Sequence, residues 1–162
     1  DKISVRMGDG LSILSDQDIV GTITICGMGG LLIRDILNYG RINQLLSNDS
    51  RLILQPNNGE KELRIFLIEN HYEIIAEEIV EENNKMYEII VAEKTNNKVE
   101  YTTDDLIFGP KLLQEKNTFF IKKWQRELDK HKSILEQIKQ SNNYYKVQMI
   151  EEKVQQIERV LT

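Results

Sequence analysis

Residues 22–37 read TITICGMGGLLIRDIL. The β-branched run TITIC has strand character and drives into Gly27, Gly29 and Gly30, three glycines within four residues. Leu31, Leu32 and Ile36 then mark a helix, with a break near Gly40 before Leu45 and Leu46. Strand, glycine loop and helix form the unit of a parallel α/β sheet. A plain tight turn needs fewer glycines, so this loop suggests a backbone that approaches a ligand closely. A dinucleotide cradle fits poorly. Counting G-x-G-x-x-G from Gly27 puts Leu32 where a small residue is needed, and the next strand ends in Gln55 rather than in an acid for a ribose hydroxyl.

Working outward, ISVRM (3–7) reads as a strand ending at Gly8-Asp9-Gly10, and RLILQP (51–56) as a strand ending at Asn57-Asn58. Leu63, Phe66, Leu67 and Ile68 mark a second helix. YEIIAEEIV (72–80) and MYEIIVAEK (86–94), separated by a polar stretch, read as a hairpin. This order describes the second half of a doubly wound sheet with an antiparallel edge. Past about Tyr101, the seam Ile121, Trp124, Leu128, His131, Leu135, Ile138 is followed, after Ser141-Asn142-Asn143, by Tyr144, Val147, Ile150, Val154, Ile157, Leu161. Two heptad-spaced seams predict an antiparallel, coiled-coil-like helical hairpin, with His131 as a polar spacer on the seam.

Three strand ends, GDG, CGMGG and QPNN, fall at the carboxyl edge of the expected sheet, where open α/β sheets bind ligands. Asp9 can accept hydrogen bonds from an amine or ribose hydroxyls. Gln55 or Asn57 offers both a donor and an acceptor, as reading the Watson–Crick edge of adenine requires. The structural alternatives are a helix-capping turn at Asp9-Gly10 and an Asx-type turn at Gln55–Asn58.

The 162 residues are 40% hydrophobic and 29% charged, enough for one α/β domain with an appendage. No apolar run is long enough to span a membrane. The single cysteine, Cys26, sits in a strand that reads as buried, and His71 and His131 lack ligand spacing; the expectation is a metal-free, cytoplasmic protein. The net charge of −5 is uneven: residues 111–132 hold seven Lys/Arg against three Asp/Glu, whereas residues 1–110 hold ten against nineteen. One basic element could track a phosphate backbone, or could be a solvated helix face.

VRMGDGL, TITICGMGGLLIRDIL, LILQPN, MYEIIVAE and LIFGPKLLQEK, in that order, resemble the bacterial tRNA (adenine-22-N1)-methyltransferase family from about Val5 to Leu128. The resemblance implies a partial Rossmann-like, S-adenosylmethionine-dependent methyltransferase domain over 1–100 and a tRNA-contacting helical hairpin over 101–162. It implies that Asp9, Gly10, Cys26 and Gly27 bind the cofactor. Gly27, Met28, Gly29 and Gly30, with Gln55, Pro56 and Asn57, would face the methyl group and the target base. A tRNA backbone would lie along Lys111, Lys122, Lys123, Arg126 and Lys130, with Phe119, Phe120 and Trp124 as core. No metal or membrane is implied, and the oligomeric state stays open.

The methionine-binding loop after a first strand and the ribose-binding acid after a second have no counterpart upstream of Asp1. The family's strand order, 3-2-1-4-5-7-6, would therefore leave Ile3–Met7 and one edge of TITIC unpaired, and the expectation is a truncated family member. Two rivals remain: a methyltransferase-like domain for another substrate, and a non-catalytic binding or assembly module.

Overall fold

The computed structural model describes residues 3–139 and 143–162. The chain divides into two compact units, Asp1–Glu115 and Lys116–Thr162. The boundary expected at residue 100 moves because two short helices beyond it, α3 (Thr103–Phe108) and α4 (Pro110–Glu115), pack on the first unit.

The first unit is built on a four-stranded sheet: β1 (Thr22–Met28), β2 (Arg51–Pro56), β3 (Tyr72–Glu82) and β4 (Lys85–Lys94), in spatial order β1-β2-β4-β3. β1 and β2 are parallel, and β4 runs antiparallel to both β2 and β3. This is the 4-5-7-6 portion of the expected order. Asn83 and Asn84, at φ 48° and 62°, make the two-residue turn that matches the twist of a β-hairpin.

α1 (Gly30–Ile42) follows β1, and α2 (Glu60–Glu69) follows β2. Ile33 and Leu37 of α1 and Leu63, Phe66 and Leu67 of α2 close a core with Ile23, Ile25, Leu52, Leu54, Ile74, Ile90 and Ala92. The apolar face of α1 thus differs from the expected one. Leu31 and Leu32 are exposed, Leu45 and Leu46 lie beyond the helix, and Gly40 stays helical and buried. At Gly40 an added Cβ would meet Leu11 Cδ1 at 2.5 Å, so the glycine admits a neighbouring side chain rather than breaking the helix.

Two further expectations change. Ile3–Met7 is not a strand; its apolar side chains are exposed, and among the described residues β1 is an edge strand that pairs with β2 alone. Extended backbone without a neighbour forms no ladder. The segment is tied down instead by Arg6, whose two terminal nitrogens each donate to Asp18 at 2.6 Å. That guanidinium, with the Ser15 amide and hydroxyl, holds the Asp18 carboxyl well below the usual carboxylate range. Cys26 is exposed, because Ile23 and Ile25 take the covered face of β1 and the alternation turns Thr22, Thr24 and Cys26 the other way.

β3 carries a bulge between Ile74 and Ala76. Ile74, Glu77 and Ile79 are buried, so the extra residue shifts the alternation and turns Glu77 inward. There it meets Glu88 of β4 and the fully buried Arg64 of α2. Arg64 Nε donates to Glu77 Oε1 at 2.8 Å, Nη2 donates to Glu88 Oε2, and Nη1 donates to the Leu106 carbonyl at 3.2 Å. Glu77 Oε2 also accepts the Lys111 amide at 2.9 Å, which fixes the start of α4. Gly109, at φ 90°, passes close enough that a Cβ would stand 2.7 Å from Glu77 Oε2.

The second unit pairs α5 (Thr118–Ile138) with α6 (Tyr144–Leu161). Asn117 caps α5 by accepting the Phe120 amide at 3.0 Å, and Asn143 caps α6 by accepting the Lys146 amide at 3.1 Å. Trp124, Leu128, His131, Val154 and Ile157 of the expected seams are buried; Ile121 and Tyr144 are exposed, and Phe120 and Val160 are buried in addition. The Nδ1–H of His131 donates to the Glu127 carbonyl at 2.6 Å, which lets a polar ring sit on the seam. Lys132 pairs with Glu158 at 2.6 Å across the two helices. Ser141 and Asn142 of the expected break lie outside the described residues.

Candidate functional site

The carboxyl ends of β1 and β2 meet in one hydrogen-bonded knot. Gly27 has φ 76°, a left-handed conformation that favours glycine, and sits in the register shift between Cys26 and Met28. Its amide donates to Gln55 Oε1 at 2.8 Å, and its carbonyl accepts from Asn57 Nδ2 at 2.8 Å. The amide and the carbonyl of one glycine are therefore held by two side-chain amides, one in β2 and one just past its end. Gln55 Nε2 donates to Asn57 Oδ1 at 3.1 Å and to the Pro56 carbonyl at 3.0 Å, and the Asn57 amide donates to the Met28 carbonyl at 2.8 Å. A Cβ placed on Gly27 would meet nothing within 4 Å, so the loop presents bare backbone to open space.

Gly30 has the opposite reason for being glycine. Its amide donates to the Asn58 carbonyl at 2.7 Å, and a Cβ there would stand 2.3 Å from the Gly59 carbonyl oxygen. Gly59 itself has φ 71°. The first turns of α1 and α2 thus touch backbone to backbone. Gly29 is more forgiving, since its Cβ would meet Asn58 Oδ1 at 3.2 Å, an atom of a side chain. From the sequence, Asn58 is only the last residue of QPNN or of an Asx-type turn, and Gly59 has no part in the site; the Asn-Gly dipeptide after a strand is the available signal.

The structure brings Gly27, Met28, Gly29, Gly30, Gln55, Pro56 and Asn57 together. Asp9 precedes a 3₁₀ turn, Gly10–Ile13, and its amide donates to Ser12 Oγ at 3.2 Å. Gly10, at φ 52°, packs on Ile36 of α1, where a Cβ would stand 3.0 Å from Cγ2. Cys26 precedes the gripped glycine on the exposed face of β1.

The five basic residues divide between the units. Lys111 lies in the first turn of α4, in the first unit. Lys122, Lys123, Arg126 and Lys130 lie on α5, with Lys122, Arg126 and Lys130 four residues apart on one stripe. Lys123 Nζ stands 5.3 Å from the Trp124 ring centroid, and Lys130 pairs with Glu127 at 3.5 Å. Phe120 and Trp124 are buried as expected, whereas Phe119 is exposed. An open cleft of about 500 Å³ lined by Asn48, Asp49, His71, Lys94, Thr95 and Asn96 lies at the amino end of β2, away from the glycine knot. Among the described residues no group of His, Cys, Asp and Glu could hold a metal ion, and no helix is long and apolar enough to cross a membrane.

Comparison with known proteins gives this arrangement a family. The model of the tRNA (adenine(22)-N(1))-methyltransferase family matches residues 1–159. The tRNA (adenine(22)-N(1))-methyltransferase of Bacillus subtilis is 43% identical over 143 residues, which are 86% of this chain and 59% of that protein. The chain therefore spans less than two thirds of this curated relative. The crystal structure of the B. subtilis m1A22 tRNA methyltransferase TrmK superposes with a TM-score of 0.84 at 37% identity, over 98% of this chain and 70% of that one. A Streptococcus pneumoniae protein crystallised in complex with S-adenosyl-L-methionine gives a TM-score of 0.87 at 41% identity, over all of this chain and 70% of the other. A family model matched over almost the whole chain and a relative 43% identical over 143 residues lead to one conclusion: this chain belongs to the tRNA (adenine(22)-N(1))-methyltransferase family.

Proposed function

We propose that this chain is the larger part of a cytoplasmic enzyme that methylates N1 of adenine-22 in tRNA, with S-adenosylmethionine as methyl donor. The observation that carries the reading is the bare Gly27 backbone, gripped by Gln55 and Asn57 at the carboxyl ends of two parallel strands. When bound, the cofactor supplies an electrophilic sulfonium methyl group. Asp9 and Gly10 would hold its adenine, and Cys26 and Gly27 would line its methyl side; the open space over Gly27 admits a group there. Adenine N1 already carries a lone pair, so no strong base is required. The protein's task is to hold an unstacked base in register with the methyl group and keep water out. Gly27–Gly30, Pro56 and Asn57 would form the wall that does so. The single-sided pairing of β1 and the 59% coverage of the relative fit a complete site that also needs two upstream strands.

Two titrations test this reading. S-Adenosylmethionine is titrated calorimetrically into this chain, and into the chain fused to the segment that precedes the match in the B. subtilis relative. Both proteins are then given tRNA and labelled cofactor. Binding and methyl transfer to adenine-22 by the fusion alone is the expected result. A fusion that binds cofactor but methylates something other than tRNA would overturn the substrate assignment.

The basic stripe of α5 gives a second expected result. Converting Lys122, Arg126 and Lys130 to glutamine is expected to weaken tRNA binding. It should also reduce the slope of log affinity against log salt by roughly 0.7–0.9 for each phosphate that the protein no longer neutralises. An unchanged slope, with association of the protein that still depends on its concentration, would favour an assembly role for the helices.

A further inference from the structure

From the sequence, Gln55 or Asn57 is set against the Watson–Crick edge of adenine, but an enzyme that methylates N1 must leave N1, the acceptor of that edge, open to the methyl group. What remains is the edge carrying N7, an acceptor, and the N6 amine, a donor. A side-chain amide matches that pair with one N–H and one oxygen. Two such amides stand at the glycine knot, and their internal hydrogen bonds separate them.

Gln55 has two amide protons. One goes to Asn57 Oδ1 and the other to the Pro56 carbonyl, so it has no proton left to donate. Asn57 uses one of its two protons on the Gly27 carbonyl and one oxygen lone pair on Gln55 Nε2. Among the described residues it keeps one N–H and one lone pair, the complement of N7 and the N6 amine. Burial agrees: Asn57 is exposed and Gln55 is half-buried.

We infer that Asn57 is the specificity-determining residue, reading the N6/N7 edge of the target adenine, and that Gln55 is a positioning residue acting through Gly27 and Asn57. This rests on the tRNA adenine methylation proposed above. It also accounts for selection against guanine, which presents O6 in place of the N6 amine and so sets an acceptor against Asn57 Oδ1.

The test uses the fusion protein and tRNA carrying either adenosine or 7-deazaadenosine at the target position, the latter lacking only the N7 acceptor. The unsubstituted protein is expected to lose about tenfold in kcat/KM on the 7-deaza substrate, in keeping with loss of one well-placed hydrogen bond. Asn57→Ala should be slow on both substrates and indifferent between them. Gln55→Ala should be slow on both yet keep the 7-deaza penalty, because its effect is positional. An Asn57→Ala protein that still discriminates would overturn the inference, leaving Asn57 a prop for Gly27. Indifference of the unsubstituted protein to 7-deazaadenosine overturns it too, without relying on any variant's folding. Failure of the unsubstituted protein to methylate adenosine would instead overturn the tRNA-methylation reading, and the inference with it.

Discussion

Replacing Arg64 by alanine is expected to destabilise the protein by about 3–5 kcal/mol in chemical denaturation, because the change strands two buried carboxylates. Arg64 and Glu77 are fully buried in their side chains and Glu88 is nearly so. One guanidinium serves both acids and also satisfies the Leu106 carbonyl. Burial pushes the Glu77 carboxyl above its ordinary 4.5, with Arg64 and the Lys111 amide pulling against that rise. Removing Arg64 takes away its share of the pull, so the carboxyl rises further. A carboxyl raised by folding binds its proton more tightly in the native state. Its favourable share is complete below the unfolded value and is lost as pH rises through the folded one. The Arg64→Ala deficit should therefore be larger at pH 8 than at pH 5. The triple variant Arg64→Met, Glu77→Gln, Glu88→Gln should recover much of the loss, since it removes the stranded charge. A deficit that does not change with pH would mean that lost packing, not charge, is what the alanine costs.

Gly30→Ala is expected to cost about 2–3 kcal/mol and to disable the glycine loop, although alanine is the better helix former by about 1 kcal/mol. The sign is set by what the new methyl meets. Its carbon would stand 2.3 Å from the Gly59 carbonyl oxygen and 2.8 Å from the Asn58 carbonyl oxygen, and neither backbone atom can swing aside. The starts of α1 and α2 must separate, which pulls Asn57 and Asn58 away from the loop they hold. Gly29→Ala is the control. Its methyl meets the end of the Asn58 side chain, and its backbone is already in a region open to any residue. Urea midpoints of the two variants should differ clearly, with Gly29→Ala close to the parent. Equal midpoints would show that the packing of α1 on α2 yields more easily than its geometry implies.

The glycine loop was legible because three glycines at the end of a β-branched run have few other uses, and the hairpin because a short polar stretch separates two apolar runs. The face of α1 was not legible, for a physical reason. Leu31, Leu32, Ile33, Ile36 and Leu37 leave several apolar stripes possible, and packing against the sheet chose Ile33 and Leu37. Ile3–Met7 has the alternation of a strand, but alternation states only which side chains could share a face. A ladder also needs a neighbour.

The sequence by itself determined the run of elements from TITIC through the hairpin and the two long helices after it, the parallel pair with its antiparallel edge, the placement of CGMGG and QPNN at one end of the sheet, and the family. All of these are written in local pattern and motif spacing. Tertiary structure alone decided which glutamates of YEIIAEEIVEE turn inward, because one extra residue at the β3 bulge reverses the alternation. It alone decided which amide is spent inside the knot and which keeps a free donor and acceptor, because hydrogen-bond valence is divided only once strands 28 residues apart in sequence lie side by side.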